Sequence, residues 1–100
     1  MNISITGVNK AFESRIRLGI MSALAVNDKL DFNTLKEFLD VTDGNLASHL
    51  TALEKLDYIM VNKQFIGKKP NTSYAATGIG KKAFAHHLTA LEQLIRGVIE

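Results

Sequence analysis

The stretch T-D-G-N-L-A-S-H-L-T-A-L-E-K-L, residues 42–56, decides how the rest of the chain is read. Leu46, Leu50, Leu53 and Leu56 recur at the spacing of one face of an α-helix, which predicts that they point into a core. The other face carries Gly44, Asn45, Ala47, Ser48, Thr51, Ala52 and Lys55. These are small residues and mostly neutral hydrogen bonders, where a helix that merely meets water alternates Glu with Lys. Such a face can approach another surface closely. Thr42 suits the cap position, since its hydroxyl can accept from the N–H of Gly44 or Asn45, and Asp43 in the first turn suits the helix dipole.

Directly upstream, L-K-E-F-L-D-V (residues 35–41) is a second short apolar-periodic segment, so residues 35–56 read as helix, tight turn, helix. In that arrangement the second helix lies in a DNA major groove. Taken alone, residues 42–56 also fit a capped surface helix of a small bundle. The residues downstream separate the two. Y-I-M-V-N-K-Q-F-I (residues 58–66) is rich in β-branched and aromatic residues and changes the period from helical to extended, and N-T-S-Y-A-A (residues 71–76) can return beside it. Between them Gly67, Lys68, Lys69 and Pro70 form a turn sequence holding the one proline of the chain. Helix, turn, helix, then a hairpin with lysines at its tip describes a winged helix, mainly α with a small two-stranded wing. Its tip lysines would reach the phosphates of a neighbouring groove.

Upstream of the central pair, Asn9 is expected to cap a long helix with Phe12, Ile16, Ile20, Ala23 and Leu24 on its buried face. Arg15 and Arg17 lie off that stripe, either solvated or ion-paired, or set against a nucleic-acid backbone. Ile3 and Ile5 alternate with polar residues as a short strand or a loose arm. Asn27 and Asp28 mark a turn, residues 30–32 an edge strand or extended link, and Asn33 the cap of a helix over residues 34–39 with Leu35, Phe38 and Leu39 inward. At the other end, Thr77 is expected to cap a final long helix, with Gly78 and Gly80 weakening its first turn. Phe84, Leu88, Leu91, Ile95 and Val98 are spaced four, three, four, three, which is a heptad seam, widened by Leu94 and Ile99. The seam can fold back on its own domain or pair with a second copy. The helix is longer than a three-helix core can cover, so the expectation is a dimer. One domain results: a winged-helix core over residues 9–76 and a dimerisation helix over residues 77–100.

Charge is unevenly placed. Residues 1–57 hold six Lys or Arg against eight Asp or Glu, whereas residues 58–91 contain no acid and five lysines, Lys63, Lys68, Lys69, Lys81 and Lys82. A positive block thus follows the candidate reading helix, as an element that touches phosphates requires. With no cysteine, disulfides, thiolate metal sites and cysteine nucleophiles are ruled out. The longest apolar run is far short of the roughly 20 residues of a membrane span, and residues 1–8 lack a basic-then-apolar leader, so a cytoplasmic protein without membrane contact is expected. No metalloprotease, hydrolase, phosphate-loop or full dinucleotide motif is present, which argues against an enzyme and implies no cofactor. His86 and His87 are adjacent and point about 100° apart on a helix, so they cannot hold one metal ion together. His49, beside the buried stripe, can bond a phosphate or tie its helix to the base of the wing.

Thr42-Asp43-Gly44-Asn45-Leu46, then Ser48-His49-Leu50-x-x-Leu53 and Tyr58-Ile59, resemble the small winged-helix transcriptional regulators of the MarR and ArsR type. The resemblance runs on through Gly67-Lys68-Lys69-Pro70-x-Thr72-x-Tyr74 to Thr77-x-x-Gly80-Lys81-Lys82-Ala83-Phe84, with Asp57 where a helix-ending glycine is usual. It implies a homodimeric regulator of double-stranded DNA with a two-fold symmetric operator, the third helix in the major groove and the wing on the backbone. Carried over by position, Thr42, Asp43, Gly44, Asn45, Ser48 and Thr51 face DNA, and Lys63, Lys68, Lys69 and Asn71 belong to the wing. Asn45, Ser48 and Thr51 are the candidates for reading base edges, with Lys55 the one cation on that face against Asp43 and His49 at its margin. A protein-interaction module on the same fold, its lysines meeting an acidic partner, is the other class of function these residues fit.

Overall fold

The computed structural model of the chain describes Ile5 and residues 7–99, with side chains through residue 97. Ile3 lies outside the described residues, and Ile5 is exposed and belongs to no strand.

Asn9 caps only a single 3-10 turn, Lys10–Phe12, its side chain accepting from the Ala11 N–H at 2.9 Å. The helix expected to run on from there restarts at α1 (Arg15–Ala25), where the Ser14 hydroxyl accepts from the N–H groups of Ile16 and Arg17. A short hydroxyl side chain that satisfies two orphan amides sets a new helix origin. The break turns Phe12 inward: it stacks on Tyr58 at 5.4 Å, meets Phe84 edge-on at 5.4 Å and lies 5.2 Å from His87.

Strand β1 (Leu30–Asp31) leads straight into α2 (Phe32–Leu39), capped by Asp31 and not by Asn33. Asp31 Oδ1 accepts the Thr34 N–H at 2.8 Å, and this bond, with smaller help from the Thr34 and Asn71 side chains, holds the carboxyl below the usual carboxylate range. The core takes Phe32, Leu35 and Leu39, three and then four positions apart. Phe38, expected inside, falls at the rim of that face and is 62% exposed.

Asp40, with φ of 50°, ends α2 and leads into α3 (Asp43–Lys55). Thr42 caps α3 by accepting the Asn45 N–H at 3.2 Å. Leu46, Leu50 and Leu53 are buried as their spacing predicts. Leu56, the fourth of the series, is not: it is the C-terminal cap, where helical phase ends, and is 45% exposed. The helix closes with the Tyr58 N–H on the Leu53 carbonyl at 3.0 Å and the Asp57 N–H on that of Glu54 at 2.9 Å. This double closure requires a left-handed residue, here Asp57 with φ of 61°.

Strands β2 (Ile59–Ile66) and β3 (Lys69–Ala76) pair antiparallel from Ile59 opposite Ala76 to Ile66 opposite Lys69. The turn therefore holds only Gly67 and Lys68, and Lys69 and Pro70 belong to the strand. Gly67, with φ of 65°, supplies the positive φ that a two-residue turn needs to follow the twist of its strands. Strand β1 pairs with Ser73 and Tyr74 on the far side of β3, so the sheet order is β1-β3-β2 and the wing rests on a three-stranded base.

Thr77 joins the wing to α4 (Gly78–Ile99). Its hydroxyl accepts the Gly80 N–H at 2.9 Å and donates to the Asp57 carbonyl at 2.6 Å, while its own N–H donates to the Tyr58 carbonyl at 3.1 Å. A Cβ at Gly80 would overlap that Tyr58 carbonyl, so the glycine read from sequence as a weakness permits a backbone-to-backbone approach. The core gathers Ile20, Met21 and Leu24 of α1, Leu35 of α2, the three leucines of α3, Ile59 and Tyr74 of the sheet, and Phe12 and Phe84. Helix α4 packs on α1 and β3, leaving the outer face of α3 free.

Candidate nucleic-acid interface

On the outer face of α3, Thr42, Asp43, Asn45, Ala47, Ser48, Thr51 and Lys55 are exposed, Ala52 is half-buried, and around Gly44 the space is empty. Leu46, Leu50 and Leu53 behind them hold the helix rigidly against the core, which is what a reading surface needs. Of the two exposed acids of α3, Asp43 pairs with Lys36 of α2 at 2.7 Å, and Glu54 lies beside Thr51. That pairing offsets the repulsion a lone carboxylate would offer a phosphate. Sequence reasoning missed Lys36, which only the α2–α3 turn brings into reach.

His49 is half-buried, and its Nδ1 accepts from Arg17 Nε at 2.9 Å. It thus ties α3 to α1 and not to the base of the wing. With Nδ1 as acceptor, the neutral ring carries its proton on Nε2. Burial, and then the Arg17 charge, push its pKa down. Arg17 is accordingly half-buried and, among the described residues, forms no ion pair, while Arg15 is exposed.

A groove of about 200 Å³ runs between α3 and the wing, lined by Ala47, Thr51 and Glu54 on one side and by Val61, Lys63 and Thr72 on the other. It brings Thr51 and Lys63 together, two residues singled out separately in the sequence. Lys63, Lys68 and Lys69 are all exposed, with Lys68 in the turn and Lys69 opposite Ile66. Asn71 is half-buried beside Asp31 at the inner edge of the wing and so serves the fold as well as the surface. Lys81 and Lys82 are exposed in the first turns of α4.

The seam residues of α4 divide. Phe84 is 6% exposed and packs on Phe12, so it belongs to its own core. Leu88 and Ile95 are 45% and 58% exposed, and Leu91 and Leu94 are half-buried. The side chains of Val98 and Ile99 lie outside the described residues. Of the adjacent histidines, His86 is exposed and His87 buried, its Nδ1 accepting the Asn9 N–H at 3.0 Å. Among the described residues no three His, Asp or Glu side chains gather as a metal site, and no helix is long and apolar enough to cross a membrane.

Residues 16–95 match the family model described as the winged helix DNA-binding domain. The chain belongs to that winged-helix DNA-binding family. An uncharacterized protein of Methanocaldococcus jannaschii is 34% identical over 89 residues, which cover 89% of this chain and 97% of that one. The structure of a transcriptional regulator homologue protein from Pyrococcus horikoshii superposes with a TM-score of 0.81 at 32% identity, covering 88% of this chain and 87% of the other. NadR, in complex with 4-hydroxyphenylacetate, shares the fold with a TM-score of 0.72 at 22% identity over 93% of this chain and 65% of its own. These similarities bear out the resemblance to winged-helix transcriptional regulators and the winged-helix fold.

Proposed function

We propose that this winged-helix protein is a sequence-specific regulator that binds duplex DNA as a homodimer, with α3 in the major groove and the wing lysines on the phosphate backbone. The observation that carries the reading is the groove shared by α3 and the wing, which sets Thr51 and Lys63 facing the same space while the outer face of α3 stays uncovered. A strand lying in that groove meets Lys63 and Thr72 on the wing wall and Thr51 and Glu54 on the α3 wall, so its phosphates seat against Lys63 and away from the Glu54 carboxylate. Asn45, Ser48 and Thr51 are then at the height of base edges, with Asn45 the residue suited to a bidentate bond with adenine. Two copies joined along Leu88, Leu91, Leu94 and Ile95 of α4 would present their reading helices to successive major grooves about 34 Å apart.

Selection of bound sequences from a random duplex pool tests specificity and pairing together: the expected result is a two-fold symmetric consensus. Salt titration on the selected duplex tests the mechanism. If two wings place about four lysines on phosphates, log K falls against log salt with a slope of roughly −3.6. Replacing Lys68 and Lys69 by alanine should weaken binding to all sequences alike and flatten that slope. A slope near zero for the unaltered protein, or no enrichment of any sequence, would overturn the reading.

A further inference from the structure

The outer end of the wing is apolar where a solvated hairpin tip is expected to be polar. Phe65 is 73% exposed and Ile66 63%, the two last residues of β2 before the turn. Strand β1 supports β3 only at Ser73 and Tyr74, so the pairs from Lys63–Thr72 to Ile66–Lys69 project beyond it as a bare two-stranded ribbon of about 13 Å. Residues paired across an antiparallel ladder share a face. Phe65 and its partner Pro70 therefore extend the face that carries Val61, Lys63 and Thr72, the one turned to α3 and its groove. Lys63, Lys68 and Lys69 surround the tip, and residues 58–91 contain no acid. An aromatic ring held out by a narrow ribbon and ringed by cations has the chemistry of a wedge for stacked bases, with phosphates to either side for the lysines.

We propose that Phe65 inserts between base pairs from the minor groove flanking the major groove that α3 enters, partly unstacking that step and bending the duplex. The inference rests on the DNA-binding reading above. It adds to it a contact that carries no charge, and so separates from the lysine contacts by its salt dependence.

The chain contains no tryptophan, so Phe65→Trp installs a single fluorescent reporter at the tip of the full-length protein. The probe is relaxed closed-circular plasmid DNA of mixed sequence, on which a wedge can be read whatever the operator. The expected results are strong quenching of the tryptophan on plasmid addition, and a change in plasmid linking number when topoisomerase acts on the complex. Phe65→Ala, at an exposed position that leaves the core intact, should abolish most of the linking change. It should weaken binding roughly tenfold, the scale of one lost base–aromatic stack, with the salt slope unchanged. Retained plasmid binding with unquenched tryptophan and an unaltered Phe65→Ala affinity would overturn the wedge while sparing the DNA-binding reading. If the unaltered protein fails to retain plasmid at low salt, both fall together.

Discussion

His87 is a titratable group built into the core in its neutral form. Its ring is buried against Phe12, and its Nδ1 lone pair is occupied by the Asn9 N–H. Burial pushes its pKa down, and the nearby Glu13 carboxylate opposes that only in part. His49 is lowered in the same sense. For a base with a depressed folded pKa the unfolded chain binds more protons, so stability is intact above the unfolded value of about 6.5 and is lost as pH falls through the folded one. Chemical denaturation followed by circular dichroism should therefore show a lower midpoint at about pH 5.5 than at about pH 7.5. His87→Gln keeps an acceptor for Asn9 and should reduce that difference to the part His49 contributes. At the same scale, Asn45→Ala should blunt discrimination between duplex sequences while leaving the salt slope in place, because it removes a base contact and no charge. Competition between the selected duplex and a scrambled one reads this directly, and equal loss on both would reject a reading role for Asn45.

Among the elements, the junction of α3, β2 and α4 is where the fold is least tolerant. The carbonyls of Asp57 and Tyr58 accept from Thr77, and the first turn of α4 lies on the Tyr58 carbonyl at Gly80. Gly80→Ala must push two backbones apart, and should destabilise by about 1–3 kcal/mol or more, read as a lowered thermal midpoint. The same substitution at Gly44, where the space is open, should be close to neutral or slightly stabilising. The α3 stripe, its Thr42 cap, the hairpin and the Thr77 cap rest on side-chain period and local hydrogen bonding, and all are legible in the sequence. The starts of α1 and α2 are not, because Ser14 and Asp31 compete with the equally good caps Asn9 and Asn33, and only tertiary packing of Phe12 and Phe32 decides between them. Phe38 and Leu56 mislead for a related reason: period marks a face, but where that face runs out depends on neighbours. The Arg17–His49 bond joins residues 32 positions apart and leaves no local sign.

At the scale of the whole molecule, the chain spans 60 × 25 × 21 Å with a radius of gyration of 15.3 Å, against about 13 Å for a rounded domain of this length. The excess reflects α4, about 33 Å long at 22 residues, together with the projecting wing. Near its base a hollow of about 290 Å³, lined by Met21, Ala25, Ala76, Phe84, Ala85 and Leu88 with Lys81 as its one charged residue, carries a mostly apolar surface from the core out onto that helix. In the proposed dimer, burial of Leu88 and Ile95 between paired helices would remove this surface from water. Replacing both by Glu should convert a dimer to a monomer of unchanged circular dichroism, and sedimentation equilibrium would show the mass halved. A monomer mass for the unaltered protein would overturn the proposed dimer, and a dimer mass unaffected by the double substitution would place its interface elsewhere.

The seating of Thr77 and Gly80 on the carbonyls of Asp57 and Tyr58 has a longer reach than its stability. Most of what locks the start of the trailing rod to the exit of the reader there is peptide, with a single hydroxyl added. Peptide geometry is the same whichever residues are attached. Substitutions can accumulate through the hydrophobic interior, generation after generation, and the offset between the two rods keeps its gauge. Changing that gauge takes inserted or deleted residues, or an exchange at Gly80 itself, and not exchanges in the interior.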